Sequence, residues 1–302
     1  MNTTLMKTFL TVIATRNITQ AAGQLYVSQS TVSERIRQLE EELGQPLFVR
    51  QRGIRSLRLT PQGDAFVRIA QRYMDLNREI DSFKAGENAF MLTVACSDSL
   101  NTCLFAPFYR RLLQEEPNLR LNIRTHQSHE IYRLVEEHAA DVGFIFYLSR
   151  HKDVVAEKVF SEKMVFALSP RIAKEVTVVS PAELDPSHEI RCSWSDAITA
   201  WHDSRWNPDL LPAVQMNTVS TVANYLSDPK SWLLCPLSVA RSLRNECGAL
   251  IADCTDEIPT RDAYLITPTS LHNAERIRFF REKLRSYLQE VAPSFTSLGN
   301  KD

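Results

Sequence analysis

The chain has 302 residues, 44% of them hydrophobic and 24% charged, which places it among ordinary globular chains and excludes disordered and fibrous architectures. Its 8 glycines, at 23, 44, 53, 63, 86, 143, 248 and 299, are too scattered for a dinucleotide fingerprint, a phosphate-cradling loop or a Gly-x-Ser-x-Gly elbow, each of which needs glycine backbone. The net charge of −1 hides a split: residues 1–60 carry eight Lys and Arg against four acids, a net of +4, which leaves −5 for the remainder. A basic module joined to a mildly acidic one is the pattern.

Met6, Phe9, Leu10 and Ile13 recur at helical spacing and predict a first helix. Ala21, Ala22 and Leu25 predict a short second one entered through Thr19, and a third runs from about Ser28 to Leu43 and stops at Gly44. In the third, Val32, Ile36, Leu39 and Leu43 lie within an arc of about 60° and form a buried stripe. The opposite face holds Ser30, Glu34, Arg37, Gln38 and Glu41, with Thr31 and Ser33 on its shoulders. Between Pro46 and Thr60 basic residues alternate with apolar ones around Gly53, which reads as a two-stranded hairpin with a basic edge.

Thr60 and Pro61 are the cap and first residue of a further helix. Along it Phe66, Ile69, Tyr73, Leu76, Ile80 and Phe83 alternate spacings of three and four, the seam of a helix packed along a second helix. The same helix of another copy is the natural partner; packing on the chain's own domain stays open as the alternative. Leu92–Ala95, Leu119–Ile123 and Val142–Tyr147 then read as strands separated by helices at about 104–115 and 129–139, a parallel sheet of the α/β kind with ligands at the strands' carboxyl ends. Past 160 prolines break the pattern until a last helix, about 271–289, with Ile277, Phe280, Leu284 and Leu288 on one side.

No Cys-x-x-Cys pair occurs among the six cysteines and no export signal opens the chain, so a cytoplasmic protein with reduced thiols is expected. The longest charge-free run, Leu210–Ser227, contains Pro212, Gln215, Asn217 and Asn224 and suits no membrane span, so no membrane partner is expected.

Phe9, Ala21, Ala22, Leu25, Ser28, Gln29, Val32, Ser33, Ile36, Leu39, Glu40, Leu43, Gly44, Leu47, Phe48, Arg50, Leu59, Thr60 and Gly63 together resemble the DNA-binding region of the LysR-type transcriptional regulators. A weaker resemblance continues through Leu92–Ala95, Ser97, Pro117, Ser128 and Asp141–Gly143. It implies an α/β chain with a winged helix-turn-helix at 1–60, a linker and dimerisation helix at 61–89, and an effector domain at 90–302 similar to periplasmic binding proteins. That domain divides into subdomain I, about 90–160 and 267–302, and subdomain II, about 161–266. A homodimer that pairs into a homotetramer is the implied assembly, with an operator in double-stranded DNA and a small-molecule effector as the other partners.

In such a fold the second helix of the motif presents its first turns to base edges, while flanking groups hold phosphates. Gln29 can bond bidentately to adenine, and Ser30, Thr31, Ser33 and Arg37 reach bases or phosphates from the same face. By resemblance Arg50 and Arg52 belong to the wing. Two residues depart from the family pattern: Ser30 replaces a proline, and Glu34 replaces a basic or amide residue, which suggests that it accepts from a cytosine. For the effector, the resemblance implicates Ser97, Ser99 and Thr102, faced by His126, Gln127 and Ser128, and hydroxyls beside backbone N–H groups favour a small anion.

Rival readings are thinner. His126-x-x-His129-Glu130 lacks the metalloprotease order and a third ligand, so no metal, cofactor or catalytic residue is expected. A redox-sensing regulator using Cys247 with Cys254, or Cys192 with Cys235, is one alternative. A cytosolic small-molecule binding protein is another; salt-sensitive DNA binding separates it from a regulator.

Overall fold

The computed structural model describes residues 2–49, 58–84, 89–172, 176–269 and 274–291. Its contacts define two units, Met1–Met91 with Glu137–Ala139, and Leu92–Glu136 with Ala140–Asp302.

The first unit is helical. Helix α1, Thr3–Thr15, begins at Asn2, whose side-chain oxygen accepts from the Leu5 N–H at 3.0 Å. Helix α2, Ile18–Leu25, is entered two residues before the expected Thr19: Asn17 Oδ1 accepts from the N–H groups of Thr19 and Gln20 at 2.8 and 3.2 Å. The amide reaches two of the helix's unpaired donors at once. Helix α3, Gln29–Leu43, is capped by Ser28 and closed by Gly44 at a φ of 66°, where only glycine escapes a Cβ penalty.

Phe9, Val12, Ala21, Val32 and Leu39 form the centre of this unit's core, and the Phe9 ring meets those of Phe48 and Phe66 at 5.6 and 5.3 Å. Glu40 turns inward: its Oε1 accepts from the N–H groups of Leu47 and Phe48 at 2.8 and 3.1 Å, so the carboxylate ties the chain after α3 back to that helix. Phe48 and Leu59 form an antiparallel bridge. The tip of the expected hairpin, including Arg50, Arg52 and Gly53, lies outside the described residues.

Helix α4, Pro61–Lys84, starts with Thr60 Oγ1 accepting from the Gly63 N–H at 2.9 Å. The seam read from its spacing is not one free stripe. Phe66 is buried in the helical core with Ala70, and Tyr73 packs against it, whereas Ile69, Leu76 and Ile80 are exposed. Phe66 and Tyr73 sit on the flank turned to α1, where aromatic rings already gather. The side chain of Phe83 lies outside the described residues.

The second unit holds a five-stranded, a four-stranded and a two-stranded sheet. Strand β1 (Phe90–Cys96) leads to the short helix α5 (Asp98–Leu100), a π-helical turn (Asn101–Phe105) and α6 (Ala106–Glu115), and then come β2 (Leu119–Thr125), α7 (Ser128–Glu136), β3 (Val142–Ile145) and β4 (Val154–Glu162). The helical stretch therefore opens six residues before the expected 104, at Asp98. Pro107 has no N–H to donate, and the i→i−4 ladder cannot run unbroken through it; the widened turn precedes it.

The chain then builds β5 (Met164–Leu168), β6 (Val178–Val179), β7 (Ile190–Cys192), α8 (Asp196–Asp203), β8 (Val214–Met216), β9 (Trp232–Pro236), α9 (Leu237–Cys247) and β10 (Leu250–Cys254). Strand β11 (Arg261–Pro268) returns to the first sheet, ahead of the 267 expected, and α10 (Ala274–Val291) closes the described chain.

The first sheet has the order β2-β1-β3-β11-β4, the second β6-β10-β5-β9, and β7 pairs with β8. Strand β3 runs parallel to β1, but β11 runs antiparallel to both β3 and β4, so the sheet is mixed rather than parallel throughout. Strands β5 and β9 are buried along their whole length, which explains why they read as continuous apolar runs without alternation. Among the described residues no helix is long and apolar enough to cross a membrane.

Candidate functional site

Two surfaces collect the residues singled out from the sequence. The first is the outer face of α3. Val32, Ile36 and Leu39 are buried beneath it, while Gln29, Ser30, Ser33, Glu34 and Arg37 are exposed and Thr31 is half-buried. At its start Ser28 Oγ accepts from the Thr31 N–H at 3.1 Å and lies 2.7 Å from Ser30 Oγ and 2.8 Å from Thr31 Oγ1. The hydroxyl of Ser30 thus joins the cap in place of a proline.

Farther along, Arg37 Nε donates to Glu34 Oε2 at 3.0 Å, its Nη2 to Glu34 Oε1 at 2.5 Å and its Nη1 to Glu41 Oε1 at 2.5 Å. The Arg37 hydrogen bond holds the Glu34 carboxyl below its ordinary value. Both residues were read as base or phosphate contacts; here each occupies the other. Arg50 and Arg52 fall outside the described residues.

The second surface is a cleft of about 630 Å³ in the second unit, walled on one side by residues after β1 and β3 and at the start of β11, and on the other by the end of β7, the start of α8 and the turn after β8. Four of the six expected ligand residues line it: Ser97, Ser99, Gln127 and Ser128. Thr102 and His126 do not. Thr102 is exposed and its Oγ1 donates to Asp98 Oδ1 at 3.4 Å. The His126 ring lies 3.4 Å from Glu130 Oε2, so the imidazole faces a carboxylate of its own chain.

The floor of the cleft was not anticipated. Arg261 is 1% exposed; its Nη2 donates to Glu162 Oε2 at 2.5 Å and its Nη1 to Ser99 Oγ at 3.1 Å. The guanidinium carbon stands 4.0 Å from the centre of the Phe146 ring and 5.0 Å from that of Trp194, an aromatic face on each of two elements. Glu162 Oε1 and Arg261 Nε are buried without a partner. A signal existed on one side: Arg261 stands at the start of a strand whose later residues Ala263–Ile266 are apolar, and a buried charge demands a partner. Sequence separation hid which partner it was.

A second contact crosses the cleft. Asp98 Oδ2 accepts from Thr218 Oγ1 at 2.6 Å, the Val219 N–H at 2.7 Å and the Ser220 N–H at 3.2 Å. Asp98 directly follows the first sheet's β1, whereas Thr218 follows β8.

Five of the six thiols have their pKa raised by burial. Burial pushes Cys103 up to about 11 and Cys192 up to about 12, and it raises Cys96, Cys235 and Cys254 as well. None of these shifts favours the thiolate that reacts with peroxide. Among the described residues no group of three or more His, Cys, Asp or Glu is placed to hold a metal ion.

A helix-turn-helix unit joined in one chain to an α/β unit with a cleft defines a recognisable class, and comparison with known proteins places it. Residues 3–64 match the bacterial regulatory helix-turn-helix protein model of the lysR family, and residues 85–289 match the LysR substrate binding domain. The chain belongs to the LysR family.

A relative, the HTH-type transcriptional regulator HdfR of Yersinia pestis (strain Pestoides F), is 35% identical over 147 residues, which are 47% of this chain and 48% of that one. The chain thus spans about half the length of such relatives. Among solved structures, CbnR complexed with its target DNA is 19% identical with a TM-score of 0.67, over 95% of this chain and 100% of that one. A full-length OxyR from Pseudomonas aeruginosa carrying a cysteine-to-aspartate substitution is 20% identical with a TM-score of 0.63, over 94% and 95%. At those identities the likeness is one of fold.

Proposed function

We propose that this chain is a sequence-specific DNA-binding transcription regulator, not an enzyme, whose activity is set by a small ligand in the cleft of the second unit. The observation that carries the reading is the presentation of α3: its apolar stripe is buried while its outer face from Gln29 to Arg37 is exposed. A helix so mounted, behind the shorter α2 and a turn, is what major-groove readout needs. The likeness to HdfR, a transcriptional regulator, and to CbnR, which is known in complex with its target DNA, supports it.

In this reading residues 1–60 bind DNA through Gln29, Ser30, Thr31 and Ser33, with Arg37, Arg50 and Arg52 toward phosphates. Residues 61–89 join two copies, and residues 90–302 hold the ligand. The exposed Ile69, Leu76 and Ile80, one face of α4, are apolar surface suited to a second copy. The tetramer and the cytoplasmic location rest on the family alone. The ligand is small and carries an anionic group, because Ser97, Ser99 and Ser128 supply hydroxyl donors to the cleft. Ligand binding shifts the assembly through its differential affinity for two arrangements of the subdomains.

The test is selection by the full chain from a random pool of duplex DNA. Enrichment of an interrupted palindrome supports the reading, and Gln29→Ala is expected to relax preference at one position of each half-site. A pool that emerges unenriched overturns it.

A further inference from the structure

The cleft contains an anion site already filled by the chain itself. Three donors, the Thr218 hydroxyl and the N–H groups of Val219 and Ser220, converge on one carboxylate oxygen of Asp98 at 2.6, 2.7 and 3.2 Å. Thr218 Oγ1 also lies 2.8 Å from Ser220 Oγ, so the two hydroxyls of the turn are held together beside the two amides. Donors gathered on a single oxygen in this way are the arrangement by which backbone turns hold free anions. Here the anion arrives from the opposite sheet. Asp98, Asn217 and Val219 line the cleft and Thr218 and Ser220 are their neighbours in the same turn, so the contact borders the cleft.

The charges around the cleft give this turn its importance. Among the described lining residues Arg261 is the one permanent cation, and Glu162 already neutralises it across a buried pair. Asp98, Asp196 and Asp262 are the acidic side chains among them, so an entering anion meets no Lys or Arg side chain without a counter-charge. What remains for it are neutral donors: hydroxyls, amides and the backbone turn. Of these, Thr218–Ser220 is where the structure places a carboxylate.

We propose that the turn Thr218–Ser220 is a carboxylate subsite of the cleft which Asp98 occupies as an internal ligand, latching the two subdomains until the carboxylate of a small molecule displaces it. The proposal rests on the cleft being the ligand site and adds the chemical class that enters and the contact it must break. A ligand carboxylate and Asp98 compete for the same donors, so binding releases the tie between the sheets. The energy by which a ligand shifts the subdomain equilibrium is then the difference between its own contacts and those of Asp98.

Hydrogen exchange of the full chain, followed by mass spectrometry over a peptide covering 217–221, tests this with acetate as the probe. In the unaltered chain the Val219 and Ser220 amides are expected to be protected. Asp98→Ala should speed their exchange about tenfold or more, the signature of a lost hydrogen bond. Acetate, but not chloride at equal ionic strength, should restore protection in that variant. In the unaltered chain acetate should have an apparent affinity at least about tenfold weaker, because Asp98 competes.

Asp98→Asn keeps an acceptor oxygen without the charge. It should fall between the two and supplies the measurement if Asp98→Ala does not fold. Unchanged exchange at 217–221 in the variants, or exchange in Asp98→Ala that acetate leaves as fast as chloride does, overturns the proposal. Neither DNA nor an identified effector takes part, so failure here is separate from failure of the duplex selection.

Discussion

Arg37 and Glu34 face each other on the outer surface of α3, joined by two hydrogen bonds of 3.0 and 2.5 Å between one guanidinium and one carboxylate. The pair lies on the face proposed to meet DNA, so Glu34 competes with a phosphate for the Arg37 guanidinium. Glu34→Gln removes the charge that engages Arg37. Binding of the full chain to an arbitrary duplex is expected to tighten, with the slope of log K against log salt steeper by about 0.9, as one more cation reaches a phosphate. Fluorescence anisotropy across a salt series reads this. An unchanged slope with relaxed base preference would instead assign Glu34 to a base.

Gly63 packs against the chain that follows α3. A Cβ built on it would lie 2.1 Å from the Leu47 carbonyl oxygen, a backbone atom with no freedom to swing aside. Gly63→Ala should destabilise the helical unit by about 1–3 kcal/mol through forced displacement. Urea unfolding followed by circular dichroism checks it; Gly23→Ala, where nothing lies within 4 Å, is the matched control and should be neutral or stabilising.

Glu162 and Arg261 form a pair in which both side chains are essentially inaccessible, at 0 and 1% exposure. Glu162→Gln leaves a buried guanidinium without its counter-charge and should cost about 3–5 kcal/mol. Adding Arg261→Met in the same chain should return part of that loss, since the buried charge is then gone too. Thermal unfolding of the two variants measures the difference, and a double variant no more stable than Glu162→Gln would remove the electrostatic explanation.

His202 is held between two carboxylates: Nε2 lies 3.1 Å from Glu189 Oε1 and Nδ1 lies 2.9 Å from Asp203 Oδ1, with Arg191 Nη2 3.5 Å away from the ring. Burial lowers the imidazole's pKa and Arg191 opposes protonation, but Glu189 and Asp203 outweigh them and the net shift is upward from 6.5. A group raised in the folded state stabilises it fully below its unfolded value and loses that contribution as pH rises through the folded one. The second unit should therefore be more heat-stable near pH 6 than near pH 8, to the extent set by this group. His202→Gln should flatten that part of the melting profile.

Thiol reactivity gives an independent check on redox sensing. Burial holds Cys103 and Cys192 far above the range in which thiolates form at neutral pH. Millimolar peroxide should leave the DNA affinity of the full chain unchanged. A peroxide-dependent loss of affinity reversed by a thiol reductant would revive the alternative.

The helical unit was legible because its signals are local. The stripe Val32, Ile36 and Leu39, the stop at Gly44 and the cap at Ser28 each lie within one turn of the residues they organise. What the spacing misses there is the choice among local acceptors, as where Asn17 rather than Thr19 caps α2. The α4 spacing showed which residues are apolar, but only the position of α1 shows that Phe66 turns inward while Ile69 does not.

In the second unit the cleft's near wall could be read from the end of β1, whereas its floor could not. Arg261 and Glu162 are 99 positions apart, and Asp98 is 120 from Thr218. Pairings of that reach depend on the crossing of the chain between two sheets, which no spacing in one segment records. The buried runs of β5 and β9 failed for another reason: a strand covered on both faces has no alternation to detect.

The most direct test of the proposed function is the affinity of the full chain, by fluorescence anisotropy, for a duplex recovered by selection and for a shuffled duplex of the same composition, across a series of salt concentrations. A DNA-reading regulator should bind the selected duplex about 10³-fold or more tightly than the shuffled one, with log K falling linearly as log salt rises. Equal affinity for the two duplexes, or no binding to either at low salt, would contradict it.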